Sequence, residues 1–334
     1  MSKKMLVLPG DGAGPEMVSS AVSILELVAG DRLEIKYGDI GQAAFVKTSQ
    51  YLPAETVDLA TDADIIIAGI VTDAPSDRNY QNPILVLKRQ LNLYSVVRRF
   101  YPLCHDAGRM DIDLILVNGN QNALPSVTET ESLDGIDTHK FLSTASVKRL
   151  FQMALRTASV LNRKKMTCAH RGTMFPALDG MFVDVFYKEL AGSGLFLEDV
   201  DVEDVATRLV MDPTSMDVIV SSDIYGTVLA GIASGLVGGN HLMPAASIGD
   251  NAGLFEPEHM PDLKTMKEGY VNPTSSILSG IMALDYLGMS LEAEKVRKAV
   301  RSVYDMGKTT PDIGGTATTK EFTESVMNAI RNEQ

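Results

Sequence analysis

Tryptophan is absent from these 334 residues, and cysteine occurs only twice, as Cys104 and Cys168. Two thiols cannot staple a chain of this length, so a disulfide scaffold is excluded and a reducing, cytoplasmic setting is the simpler expectation. Basic charge is also in deficit, with 30 Lys and Arg against 43 Asp and Glu and a formal net charge of -13. No basic stripe interleaved with aromatics exists, and Arg163, Lys164 and Lys165 form only a short turn cluster, so nucleic acid is not an expected partner. Met1 to Lys4 leads into a short apolar run rather than the long one of a secretory leader. Asp, Glu, Lys and Arg are all missing from Ile224 to Gly249. That stretch is long enough to raise the question of a membrane span. Its glycines, Asn240, His241 and Pro244 argue against one, and we read a buried helix followed by a loop.

What is present is an alternation of strands and helices in a chain long enough for two domains. Lys4 to Leu8 reads as a strand. Pro9-Gly10-Asp11-Gly12-Ala13-Gly14-Pro15-Glu16 follows, with Pro15 suited to a first helical turn and Glu16 to the positive end of the dipole. Val18, Ala21, Val22, Leu25 and Val28 then repeat at helical spacing up to Gly30. Residues 63–71 and 114–117 read as buried strands, as do 166–169 and 218–220. Residues 146–161 form an amphipathic helix, with further helices near 180–190, 275–287, 291–305 and 320–331. Thr318 and Glu321 stand at capping-box spacing. The polar stretch 126–138 fits either a loop or a hairpin arm. The glycine turn departs from the dinucleotide fingerprint G-x-G-x-x-G, although backbone amides near Gly12 remain open to a ligand.

Seven blocks in order carry a resemblance: LVLPGDGAGPE at 6–16, LNLYSVVRR at 91–99, AHRGTMFPALDGMF at 169–182, MDVIVSSDIYG at 216–226, LFEPEH at 254–259, VNPTSSILSGIMAL at 271–284 and TPDIGGTATTKEFTESV at 310–326. Together they resemble the isocitrate/3-isopropylmalate dehydrogenase family of β-decarboxylating dehydrogenases, as a diverged member. The resemblance implies an α/β, two-domain fold with a central mixed sheet that is not a Rossmann fold. Residues 1–98 with 250–334 would form the large, cofactor-side domain. Residues 99–249 would form a small domain bearing a dimer arm, into which 126–138 falls, with the site between domains and across the dimer interface. It further implies NAD or NADP, Mg²⁺ or Mn²⁺, and a 2-hydroxy acid oxidised by hydride transfer and then decarboxylated.

On the family's chemical positions this chain departs. The two metal aspartates, one turn apart, fall on Thr227 and Gly231, which offer a hard cation no carboxylate. The third falls on Glu203, and Asp223, one turn before Thr227, is a candidate replacement. The proton-relay lysine falls on Arg171, a guanidinium that does not give up its proton. The neighbouring asparagine position holds Thr173, and His170 is a candidate base. The tyrosine position falls at Pro125, which has no proton to donate. The three substrate arginines fall on Lys88, Arg98 and Asn118, with Arg99 a candidate to compensate. Gly12, His259, Lys264, Asn272 and Asp312 fall on the cofactor side, where Lys264 leans towards NADP. Three readings follow: a standard decarboxylating enzyme, an NAD(P)-linked dehydrogenase with a non-standard site, or a silent paralogue or regulatory subunit that binds a small acid or nucleotide. The assembly is a homodimer, or a hetero-oligomer with an active homologue.

Overall fold

The computed structural model describes residues 2–73, 80–103, 108–120, 127–258 and 267–332. Strand β1 (Lys3–Leu8) leads through the glycine turn into α1 (Gly14–Ala29). Pro15 occupies the first helical turn, where no N–H bond is lost, and Gly30 ends the helix at φ 53°, which penalises any Cβ. Next come β2 (Leu33–Tyr37), α2 (Gly41–Thr48), α3 (Ala54–Asp62) and β3 (Ile65–Ala68). The apolar run 63–71 yields only a four-residue strand. Beyond it Gly69 lies so close to the first turn that a Cβ would stand 2.0 Å from the Pro9 carbonyl oxygen. Asn82 caps α4 (Pro83–Gln90) by accepting from the amides of Ile84 and Leu85, and β4 (Ser95–Phe100) and β5 (Leu114–Gly119) follow. The polar stretch forms a hairpin, β6 (Val127–Ser132) with β7 (Gly135–Lys140), exposed along nearly all its length.

The alternation resumes with α5 (Thr144–Val160), β8 (Lys165–His170), α6 (Leu178–Leu190), β9 (Phe196–Asp201) and α7 (Val202–Met211). Strand β10 (Val218–Ser221) feeds α8 (Asp223–Leu236), so the uncharged stretch begins with a helix, as read, but residues 244–248 within it form a buried strand rather than a loop. The outward face of α8 is not buried, however: Ile224, Thr227, Val228 and Gly231 are exposed. An antiparallel pair, β11 (Pro244–Ile248) with β12 (Gly253–Pro257), precedes α9 (Thr274–Tyr286), α10 (Ser290–Asp305) and α11 (Thr319–Asn332). The capping box before α11 is present, since the Glu321 carboxylate accepts from the Thr318 amide and the Thr318 hydroxyl accepts from the Glu321 amide. No helix among the described residues is long and apolar enough to cross a membrane.

Among the described residues, ten strands make one mixed sheet in the order β2-β1-β3-β12-β11-β4-β5-β10-β8-β9. Its two wings are parallel, and between them β12-β11-β4-β5 pair antiparallel. Successive side chains of β1 go to opposite faces: Met5 and Val7 join one core, Leu6 and Leu8 the other. The larger core runs across both wings and takes in the buried stripe of α5, where the Phe151 ring lies 4.8 Å from that of Phe182. Cys168 is wholly buried in β8, and burial pushes its thiol well above the ordinary range. In a Cys104→Ser variant the remaining thiol should therefore resist a water-soluble disulfide reagent until urea unfolds the chain. Complete labelling of the folded protein within minutes would show that the β8 core opens readily.

Candidate functional site

At the antiparallel centre of the sheet lies a cleft of about 250 Å³, lined by Lys88 of α4, Arg98 of β4, Asn118 and Asn120 at the end of β5, Thr227 of α8, and Glu256 and Glu258 at the end of β12. Strand alternation decides who points in. Val96 stands opposite Asn118, and Arg98, two residues on, shares its face. The Arg98 Nη1 donates to Asn118 Oδ1 at 2.7 Å. Arg99 takes the other face, where it is paired with Asp113 and lines a separate apolar cavity, so it does not compensate in the cleft. Helix α8 comes close because Gly226 lacks a side chain: a Cβ there would meet Asn118 Cβ at 2.4 Å.

Each cation in the cleft is already matched. Arg98 Nε and Nη2 donate to Glu258 at 2.6 and 2.7 Å, a two-pronged pair, and Lys88 is bonded to Glu256. Lys88, Glu256 and Glu258 also line a second cavity of about 210 Å³, bounded by Gly69, Ile70 and Asn82 beside the glycine turn. Neither glutamate was singled out from sequence. The signal was there in LFEPEH, two acids spaced two apart on a strand and hence on one side.

The remaining family positions gather elsewhere. Arg171 Nη1 bonds the Glu203 carboxylate, which raises its already high proton affinity, and lies 3.9 Å from Asp201. His170 accepts from the Gly172 amide at Nδ1 and faces Asp199 through Nε2 at 3.2 Å, so both ring nitrogens are held within the fold. Asp223 is buried at the start of α8, and Lys140 reaches it from the hairpin at 3.2 Å. Thr173 bonds Asp201. Buried Asp179 and half-buried Tyr225, neither anticipated, link these parts: Asp179 accepts from the Arg171 amide at 2.6 Å and from the Tyr225 hydroxyl at 3.3 Å. Burial first, and the Asp179 charge next, push the Tyr225 phenol up to about 12, so it stays a proton-bearing donor near neutral pH.

For a hard divalent ion the donors do not fit. Thr227 and Gly231 bring no carboxylate, Glu203 and Asp223 are each held by a cation, and among the described residues no three acidic, His or Cys side chains converge. The described residues expected on the cofactor side are held in place by the fold. Gly12 is exposed at the apex of its turn at φ 56°, beside the amide end of α1. Asp11 beneath it is engaged by the amides of Gln42, Ala43 and Thr72, which fixes the loop. Asn272 donates to Asp312 at 3.0 Å, and His241 lies 3.7 Å from the same carboxylate. His259 and Lys264 lie outside the described residues, as does Pro125.

Residues 4–326 match the family model for isocitrate/isopropylmalate dehydrogenase. Over 336 residues the chain is 34% identical to the isocitrate/homoisocitrate dehydrogenase of Thermus thermophilus, covering 99% of this chain and 100% of that one. It is also 34% identical to the 3-isopropylmalate/3-methylmalate dehydrogenase of Methanocaldococcus jannaschii, with 99% of each covered. The solved isocitrate dehydrogenase of Methylococcus capsulatus superposes with a TM-score of 0.89 at 28% identity, over 99% of this chain and 100% of that one.

Proposed function

This chain belongs to the isocitrate/isopropylmalate dehydrogenase family, and we propose that within it the chain binds a nicotinamide nucleotide and a small polar ligand without metal-dependent decarboxylation, as a ligand-sensing or regulatory member. The observation that carries this is the internal pairing of its charges: Arg98 with Glu258, Lys88 with Glu256, Arg171 with Glu203, and Lys140 with Asp223. Oxidative decarboxylation of a hydroxy acid needs unpaired positive charge to seat carboxylates, a cation to stabilise the enolate, and a base that releases its proton. Loss of one such preorganised contributor costs about 10²–10³ in rate. A nucleotide would be held by Gly12, Asn272 and Asp312, and when bound it would supply a hydride acceptor. In this reading residues 1–98 with 250–334 make the cofactor-side unit, and 99–249 make the unit that carries the hairpin arm of a homodimer, or of a hetero-oligomer with a complete homologue.

A second reading, an NAD(P)-linked dehydrogenase on a 2-hydroxy acid with a rebuilt site, is favoured by one observation. Lys88 lines both the cleft and the neighbouring cavity, as a residue between substrate and cofactor would. One assay separates the two. With Mn²⁺, NAD or NADP, and isocitrate, homoisocitrate or 3-isopropylmalate, the purified chain should form no reduced nucleotide above background, while nucleotide binding is measurable by calorimetry. Chelator-sensitive carbon dioxide release would defeat the proposal. Metal-independent reduction with another hydroxy acid would select the second reading.

A further inference from the structure

Glu256 and Glu258 leave the end of β12 on the same side, and the Glu258 amide is fixed by donating to the Met243 carbonyl at 2.8 Å. Its carboxylate therefore has a defined place. It lies edge-on to Arg98 with one oxygen 2.6 Å from Nε and the other 2.7 Å from Nη2, while Nη1 is spent on Asn118. That is the geometry in which a guanidinium grips a bound carboxylate. Arg98 is 7% exposed, and each of its three guanidinium nitrogens already has a partner. The cleft's charges, Lys88 and Arg98 against Glu256 and Glu258, sum to zero. A carboxylate ligand would have to expel Glu258 or sit beside two acids in a confined, poorly screened space.

We propose that Glu258 is a specificity-determining residue: a resident carboxylate filling the anion seat of Arg98 and Asn118, which closes the cleft to free carboxylic acids and leaves it to uncharged polar ligands meeting Asn118, Asn120 and Thr227. The inference deepens the functional reading above and rests on it for the cleft being a ligand site. Unlike that reading, it concerns binding alone, so its test omits metal and nucleotide.

The full chain, Glu258→Ala and Glu258→Gln are titrated with isocitrate and with 3-isopropylmalate by calorimetry at low salt. The parent should show no saturable binding at millimolar acid. Glu258→Ala should bind about tenfold or more tightly than the parent, the step that 1.4 kcal/mol represents. The gain should fall as salt is added and vanish when Arg98→Met is combined with Glu258→Ala. Glu258→Gln, which keeps the shape but not the charge, should gain less than Glu258→Ala, and it carries the test if Glu258→Ala does not fold. Equal binding by the parent and the folded variants would overturn the proposal, as would a folded variant that gains nothing. Turnover of either acid by the parent with Mn²⁺ would remove both readings, since a substrate carboxylate would then enter the cleft, whereas a failed titration without turnover would remove this one alone.

Discussion

Replacing Arg98 with methionine should cost about 3–5 kcal/mol of folding stability, because it takes from the largely buried Glu258 carboxylate its two-pronged ionic partner. Glu258 has a side chain only 15% exposed, and the Asn118 amide oxygen, also buried, loses its donor in the same change. The reverse deletion, Glu258→Ala, should be milder. The guanidinium it uncovers keeps Asn118 Oδ1 as a partner, and the cleft of about 250 Å³ that it borders can admit water or a small anion. Chloride or sulfate should therefore restore part of the loss in Glu258→Ala and none of it in Arg98→Met. Removing both charges, as Arg98→Met with Glu258→Leu, should bring stability back towards the parent, since a buried pair replaced whole by apolar groups is often neutral. Urea midpoints at constant slope give the three values, and a double-mutant cycle gives the coupling. A loss for Arg98→Met under about 1 kcal/mol, the range of surface pairs, would mean the cleft is wet enough to screen Glu258. Internal neutralisation would then explain nothing about the site.

That pair also marks where sequence reading stops. Arg98 and Glu258 are 160 residues apart and meet only because β4 and the end of β12 converge at the antiparallel centre of the sheet. Periodicity gives strands and helices but not strand order, so charges paired across the sheet are invisible to it. Local chemistry was readable: Pro15 and Gly30 bound α1, and Thr318 and Glu321 cap α11, because each acts on its own few residues. The ordered blocks carried the family and the α/β class, since they sample backbone geometry all along the chain. Arg99 was misjudged although a local rule was enough, because neighbours on a strand face opposite ways. The stretch without charges in 224–249 taught a different lesson. Polarity alone suggested burial, yet Val228 remains 59% exposed, so one face of α8 is apolar without being covered by this chain.

On that same face, Thr227→Asp with Gly231→Asp should create a metal site. The two positions are one turn apart, both are exposed, and a Cβ at Gly231 meets nothing within 4 Å, so the new carboxylates face one another without steric cost. Without metal their repulsion costs about 0.2–0.5 kcal/mol. Replacing a mid-helix glycine returns a few tenths of a kcal/mol, roughly cancelling it. A hard cation bound by both oxygens stabilises only the folded state, by about 2.7 kcal/mol at a hundredfold excess over its dissociation constant. The urea midpoint of the double variant should accordingly rise with Mn²⁺ and return with chelator, while that of the parent stays fixed. An equal Mn²⁺ response in the parent would show that lost carboxylates are not what sets its metal affinity. No response in the variant would show that Thr227 and Gly231 do not lie where a cation can sit. Turnover should not return with the metal: Arg171 still keeps its proton, and Glu258 still fills the seat that a substrate carboxylate needs. Restored metal with restored decarboxylation would mean that the paired charges yield to substrate, and that the missing aspartates alone had silenced the site.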